Sequence, residues 1–235
     1  MAKLEKFLER GGGLFVGVGP RRHTNLEPLL SRYGVELGQD IVVDPSNKRA
    51  GRTPTDLIVR KLGNHPIVNP LSTSTIEDPL TRSVKRVTNN ANLPPHIQRA
   101  ELMFSSDKSW AETDFSTFPK VTRNPDAGDL NGPLGLAMAV EVPADSTDPK
   151  KMAQGVRIVV YGSRDLFTNY WLTRSPSNAD LLQNTVHWLA KRDRFAGVRP
   201  RSADLRLLTL TESQAQRLGL MAYAGCPRSS FSRES

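Results

Sequence analysis

Apolar and polar positions follow two different spacings along the first fifty residues. Leu4, Phe7 and Leu8 recur at the i, i+3, i+4 spacing of an amphipathic helix, which Gly11 is placed to end. The apolar run LFVGV that follows has no polar interruption, as expected of a strand buried on both faces. The same two patterns then repeat. The predicted elements are helix, strand, helix and strand at residues 4–8, 14–18, 26–33 and 41–45.

The second half of the chain contains the strongest strand and helix patterns. Shorter apolar runs predict strands at residues 101–104, 134–142 and 157–162, separated by long polar connections rich in proline. Residues 178–192 form the clearest helix, with an apolar face and either Asn178 or Asp180 as its N-cap. Because helices and strands alternate, we expect an α/β fold with a largely parallel sheet flanked by helices, long loops and a C-terminal tail.

The character of the sequence changes after residue 196. Residues 1–196 carry the strand and helix patterns and are predicted to form one α/β domain. Residues 197–235 read as a linker followed by the start of a helix, which Thr211 and Gln214 would cap at its N-terminus.

Composition and charge narrow the possible functions. The 235 residues carry a net charge of +8, but the basic residues are spread along the chain and aromatic residues make up only 6%. Nucleic-acid modules usually concentrate basic charge and interleave it with aromatic side chains, so no nucleic-acid partner is expected. Cys226 is the only cysteine, which excludes an internal disulfide and a multi-cysteine zinc site. No run approaches the ~18 apolar residues of a membrane span.

No catalytic or metal motif is complete. The GVGPRR stretch has Arg22 where a dinucleotide fingerprint requires its third glycine, so it is better explained as a strand end. Ser163 lacks the Gly-x-Ser-x-Gly context of a hydrolase elbow, and His187, the best available base, lies within a helix pattern. The four histidines show no ligand spacing, and the carboxylates Glu77 and Asp78 are predicted to be solvated. We therefore predict no catalytic residues, no metal and no cofactor.

The loops after two predicted strands supply the candidate binding site. The carboxyl ends of strands in an open α/β sheet deliver their loops to one crevice, where ligands or partners usually bind. The loops following residues 14–18 and 157–162 would share such an edge. Its predicted polar lining is Arg21, Arg22, Ser163, Arg164, Asp165 and Asn169. A purely structural role for Asp165, accepting backbone N–H bonds within its turn, is equally compatible with the sequence.

Six segments occur in an order that resembles one known family. They are FLERGGGLFVGVGP, LLSRYGVELGQDIVVDP, NHPIV, GPLGLAMAVE, RIVVYGSRDLFTNYW and NADLLQNTVHWLA. Together they resemble the auxiliary proteins of ABC-type transport systems, the GldG-like family of gliding motility, over residues 4 to 215. The resemblance implies a non-catalytic domain with a fold similar to class I glutamine amidotransferases and flavodoxin-like proteins. It also implies a position on the extracytoplasmic, periplasmic side of a membrane beside an ABC permease.

Two hypotheses follow for the function. The first is a non-enzymatic accessory domain that contacts the permease or ATPase subunits of an ABC transport or gliding-motility system. The second is a small-molecule or carbohydrate binding domain, a relic hydrolase, that uses the same crevice. Relatives in the resembling family carry membrane helices on both sides of this segment. We therefore expect the chain to be a fragment, a truncated gene product, or a subunit that a separately encoded partner completes.

Overall fold

The computed structural model describes the domain and three residues of the C-terminal part. The described residues are 2–47, 53–87, 93–114, 116, 121–144, 155–191, 214, 216 and 217. Within them the chain forms four α-helices: α1 (Ala2–Glu9), α2 (Glu27–Arg32), α3 (Asn169–Arg174) and α4 (Pro176–Leu189).

The strands are short except in the centre of the molecule. In chain order they are β1 (Gly13–Gly17), β2 (Val35–Leu37), β3 (Ile41–Val43), β4 (Asp56–Val59), β5 (Lys61–Leu62), β6 (Ile76–Pro79), β7 (Val84–Arg86), β8 (Gln98–Phe104), β9 (Trp110–Glu112), β10 (Leu130–Asn131), β11 (Gly135–Val142) and β12 (Val156–Tyr161). Short 3-10 helices occur at Asn69–Leu71 and Pro125–Ala127.

A five-stranded sheet in the order β1-β12-β11-β8-β5 forms the centre of the domain. Only β1 and β12 run parallel, whereas β12, β11, β8 and β5 pair antiparallel with their neighbours. Three smaller sheets, β10-β9-β3, β2-β7 and β4-β6, are antiparallel throughout. The prediction of a largely parallel sheet is therefore wrong.

The error has a physical cause. An apolar run shows that both faces of a strand are buried, but it carries no information on the direction of the neighbouring strand. That direction depends on the connection, because parallel neighbours need a crossover of a dozen or more residues, usually helical, while antiparallel neighbours need only a hairpin. The proline-rich stretches between the central strands contain no helix pattern, and that absence was the signal for antiparallel pairing.

Hydrophobic cores lie on both faces of the central sheet. In β12, Ile158 and Val160 belong to the core formed with α1 and α2, whereas Val159 and Tyr161 belong to the core formed with α4. All four side chains are buried. This two-sided burial explains the continuous apolar run in the sequence, with α1 and α2 packed on one face of the strand and α4 on the other.

The helix ends differ in detail from the predictions. Gly11 has a φ of 84°, so α1 ends next to a left-handed glycine as predicted. The helix predicted at residues 178–192 begins earlier, at Pro176, with Ser175 at its N-cap position. Asn178 is instead buried, and its side-chain amide donates to the carbonyl oxygens of Glu77 and Leu166. The predicted linker and C-terminal helix from residue 197 onward lie outside the described residues, apart from 214, 216 and 217.

Candidate functional site

The loops after β1 and β12 meet at one edge of the central sheet. Gly17 lies opposite Tyr161 in the parallel pair, so both strands end at the same level. A Cβ atom on Gly17 would lie 3.0 Å from the carbonyl oxygen of Ser163, and one on Gly19 would lie 3.3 Å from Cγ of Arg164. The two loops that the sequence pointed to are therefore in direct contact.

A third segment, residues 78–83, completes this edge. The backbone N–H of Arg82 donates to the carbonyl oxygen of Gly162 over 3.0 Å, and the hydroxyl of Ser163 donates to the carbonyl oxygen of Pro79 over 2.6 Å. Sequence reasoning missed this segment because Asp78 was taken for a solvated loop residue, whereas its side chain is buried. The only feature of the sequence that could have indicated this segment was Arg82 among small polar residues, and such a pattern is also common on protein surfaces.

Arg82 is the largest fully buried side chain at this edge. Its Nη1 donates to the carbonyl oxygens of Arg22, over 2.9 Å, and Gly19, over 3.4 Å, while its Nε donates to that of Gly38. Burial lowers the pKa of the guanidinium, and the nearby carboxylates of Asp40 and Glu27 raise it. An arginine stays protonated in such surroundings, so its charge is held inside the protein and fixes the loop after β1.

Asp40 supplies the compensating negative charge. Its buried carboxylate accepts hydrogen bonds from the backbone N–H and the hydroxyl of Ser83, over 2.7 and 2.6 Å, and Nζ of Lys85 lies 4.0 Å away. Buried charges persist only when they are paired and hydrogen-bonded. Arg82, Asp40 and Ser83 therefore act together as a structural polar cluster beneath the two loops.

Asp78 lies in β6 and is the first residue of the segment 78–83 at this edge of the sheet. Burial raises the pKa of its carboxyl to about 7, an effect that the hydroxyls of Thr81 and Ser163 partly oppose. Each of these hydroxyls directs its single proton to a backbone carbonyl, of Arg82 and Pro79 respectively. Neither carboxyl oxygen of Asp78 has a hydrogen-bond partner among the described residues, so little compensates for the ionised form.

Of the six predicted site residues, one is buried, one (Asp165) is half-buried and four are exposed. Ser163 is buried, and its hydroxyl also accepts the backbone N–H of Asp165 over 3.2 Å. This hydroxyl therefore acts within its turn and is not presented as a nucleophile. Arg164 forms a partly exposed ion pair with Asp165, with Nε 3.3 Å from Oδ1. The exposed group comprises Arg21, Arg22, Arg164 and Asn169, the last being the first residue of α3.

The helix α3 adds aromatic surface that the sequence analysis did not include. None of its residues is buried, and the side chain of Tyr170 is 61% exposed. The Tyr170 ring packs edge-on against Trp171 and lies 5.8 Å from the guanidinium carbon of Arg174. We call Arg21, Arg22, Arg164, Asp165, Asn169, Tyr170 and Arg174 the sheet-end surface. Its composition, four arginines with one tyrosine, is typical of protein-contact sites.

A cleft of about 670 Å³ opens beside α2, and its lining includes Glu5, His23, Asn25, Glu27 and Gln39. The Glu27 carboxylate accepts the backbone N–H of Thr24 over 2.8 Å and its hydroxyl over 3.3 Å, which ties the segment before α2 to the first residue of the helix. Two residues that line this cleft, Thr24 and Glu27, therefore have a structural role at the start of α2. Within the described ranges, no group of three or more His, Cys, Asp and Glu side chains is arranged to hold a metal ion.

Close packing between the loops makes Gly162 sensitive to any side chain. A Cβ atom there would lie 2.1 Å from the carbonyl oxygen of Arg82, a backbone atom that cannot rotate away. We expect Gly162→Ala to lower the free energy of unfolding by about 2 kcal/mol or more, measured by urea denaturation. Gly19→Ala is the matched control, because its Cβ would meet only the flexible side chain and the backbone N of Arg164, at 3.3 Å or more. Equal losses in the two variants would contradict this description of the loop contact.

Comparison with known protein families assigns the chain. The profile of a family described as an ABC-type uncharacterized transport system matches residues 1–195. The chain belongs to this family of ABC transport auxiliary proteins. The GldG-like resemblance of the sequence is thereby confirmed, and a transport-associated accessory role follows for this ABC auxiliary protein.

The other comparisons concern the fold. The solved structure titled "mmIFT52 N-terminal domain" is 18% identical to the ABC auxiliary protein, with a TM-score of 0.53, and covers 87% of this chain and 71% of that one. This likeness shows the fold alone. It overturns the predicted assignment to class I glutamine amidotransferase-like and flavodoxin-like folds, in agreement with the antiparallel pairing. No curated protein gives a significant match.

The family also bears on location. Membership in an ABC transport family indicates association with a membrane system. In the part of the chain that the structure describes, no helix is long and apolar enough to cross a bilayer.

Proposed function

We propose that this ABC auxiliary protein acts without catalysis, by contact between its sheet-end surface and the permease subunit of its transport system. The observation that carries the proposal is that the two adjoining loops carry exposed arginines and that α3, which follows the second loop, carries an exposed tyrosine. Family membership supplies the transport context. The gliding-motility association and the periplasmic side of the membrane are part of the proposal.

The charge of the sheet-end surface indicates the partner's chemistry. The sheet-end surface carries four arginines and one carboxylate, that of Asp165, which pairs with Arg164. Complementary charge steers association and selects partners more than it adds affinity. We therefore propose an acidic extramembrane loop of the permease as the occupant, with a pocket for the Tyr170 ring.

The rigid support beneath the surface favours docking. Arg82 binds the carbonyl oxygens of Gly19 and Arg22, so the loop that carries Arg21 and Arg22 is held on a buried cluster. A preorganised surface loses less conformational entropy when it binds. The buried position of Ser163 argues against the alternative of a relic hydrolase at this edge.

The binding contribution of Tyr170 can be measured directly. We expect Tyr170→Ala to weaken binding to the purified permease of its transport system at least about tenfold, because tyrosine side chains often dominate such interfaces. Biolayer interferometry with the permease in detergent gives the dissociation constant. Leu130→Ala is the matched control, since Leu130 is 43% exposed but lies on β10, in a different sheet. Unchanged affinity in the Tyr170 variant, or equal loss in the control, would contradict the proposal.

A further inference from the structure

The strand β1 forms one edge of the central sheet, and no described strand pairs with its outer side. The backbone N–H of Val18 donates to the carbonyl oxygen of Tyr161 over 3.0 Å. Backbone groups alternate in direction along a strand, so Leu14 and Val16 also bond toward β12. The N–H and C=O groups of the intervening residues Gly13, Phe15 and Gly17 therefore point away from the sheet.

Side-chain exposure follows the same alternation. Gly13, Phe15 and Gly17 are exposed, Val16 is buried and Leu14 is half-buried. The Phe15 ring packs against Tyr161 and Phe167, with ring centroids 5.5 and 5.4 Å apart, yet 37% of this large apolar residue remains exposed. An open edge with apolar side chains is a template for another strand, and proteins normally cover such edges.

We propose that β1 pairs antiparallel with β1 of a second copy of this chain, with the two-fold axis at Phe15. The sequence of β1, Gly-Leu-Phe-Val-Gly, reads almost the same in both directions. In this register Phe15 lies opposite the second copy's Phe15, Leu14 opposite Val16, and Gly13 opposite Gly17. A two-fold interface requires a surface that is complementary to itself, and this register provides one.

The hydrogen bonds fit the same register. Phe15 and its symmetry mate exchange two N–H···O=C bonds, and each Gly13 exchanges two more with the opposite Gly17. All three residues are those whose backbone groups point outward. The Phe15 rings then lie on one face of the joined sheet, where each rests on its own Tyr161 and Phe167. Aromatic pairs directly across antiparallel strands stabilise the pairing.

The chain conformation limits the pairing to β1. Gly11 has a φ of 84° and Arg21 a φ of 56°, so the backbone turns on both sides of the strand. A short edge bounded in this way matches another edge of the same length better than a long partner strand. The result would be a continuous sheet through two subunits.

A cysteine scan tests the register. Because Cys226 is the only cysteine, Cys226→Ser gives a background without thiols. In that background we expect Phe15→Cys to form a disulfide-linked dimer under mild oxidation, since hydrogen-bonded pairs have Cα atoms ~5.5 Å apart, within disulfide range. Leu14→Cys is the matched control. It pairs with Val16 of the second copy, so two introduced thiols lie too far apart to join.

Mass measurement tests the association itself. Light scattering coupled to gel filtration should give the unmodified chain twice its monomer mass of 26.0 kDa. Phe15→Pro removes an N–H that points outward and leaves the bonds to β12 intact, so it should give a folded monomer at the same concentration. Circular dichroism verifies the fold of each variant. A monomeric unmodified chain, or cross-linking of both cysteine variants to the same extent, overturns the proposal.

Discussion

Replacing Arg82 by alanine should lower the free energy of unfolding by about 3 kcal/mol or more. The substitution leaves the carbonyl oxygens of Gly19, Arg22 and Gly38 without this donor. Gly19 and Gly38 are buried, and an unsatisfied buried group costs ~1–3 kcal/mol. It also leaves the Asp40 carboxylate with less compensating charge. Urea denaturation followed by circular dichroism measures the loss.

Two further variants separate burial from charge. Arg22→Ala removes the same charge from an exposed side chain and should change stability by only about 0.5 kcal/mol. Arg82→Lys keeps the charge but lacks the planar fork of donors, so it should recover only part of the loss. If Arg82→Ala and Arg22→Ala cost the same, the buried cluster does not fix the loop.

Replacing Asp78 by asparagine should stabilise the protein at pH 8 and remove part of its pH dependence. The pKa of Asp78 is raised to about 7 in the folded protein and has its ordinary value near 3.8 in the unfolded chain. The folded state therefore binds the proton more tightly, and this contribution to stability is complete below pH ~4. As the pH rises from ~4 through 7, this contribution to the free energy of unfolding decreases by as much as about 4 kcal/mol.

The measurement is the difference in unfolding free energy between Asp78→Asn and the unmodified chain across pH 4 to 8. We expect the variant to gain on the unmodified chain as the pH rises, because asparagine has no charge to bury. Asp107→Asn is the matched control, since the Asp107 side chain is 84% exposed. Parallel curves for Asp78→Asn and the unmodified chain would show that Asp78 does not titrate in this range.

The longer elements of the chain were predictable because their causes are local, whereas the helix α3 and the short strands β2, β4, β5, β6, β7, β9 and β10 were not predicted. The strands β1 and β12 follow from apolar runs, and the end of α1 follows from Gly11. The start of α4 was predicted at the wrong residue because Asn178 belongs to a residue type that often caps helices. In the structure its side chain bonds instead to the backbone of Glu77 and Leu166, which lie 101 and 12 residues away in the chain. Such a contact leaves no trace in the spacing of neighbouring residues.

The candidate site was predictable only in part. The meeting of the loops after β1 and β12 follows from two strands that end together, and the structure places Gly19 against Arg164. The segment 78–83 could not be predicted, because nothing in its composition distinguishes a buried arginine or aspartate from a solvated one. Ser163 looked available in the sequence but is enclosed by Pro79.

The amino-acid sequence was enough to predict the longer strands and helices, the burial of both faces of the central strands, and the family that the order of segments resembles. The strand directions, the burial of Arg82, Asp40 and Asp78, and the edge of β1 that no described strand covers became known from the tertiary structure alone. The reason is that the spacing of apolar residues indicates only which faces of a single helix or strand are buried. Pairing direction and charge burial depend instead on contacts between segments far apart in the chain, such as those that Arg82 makes with Gly19 and Gly38.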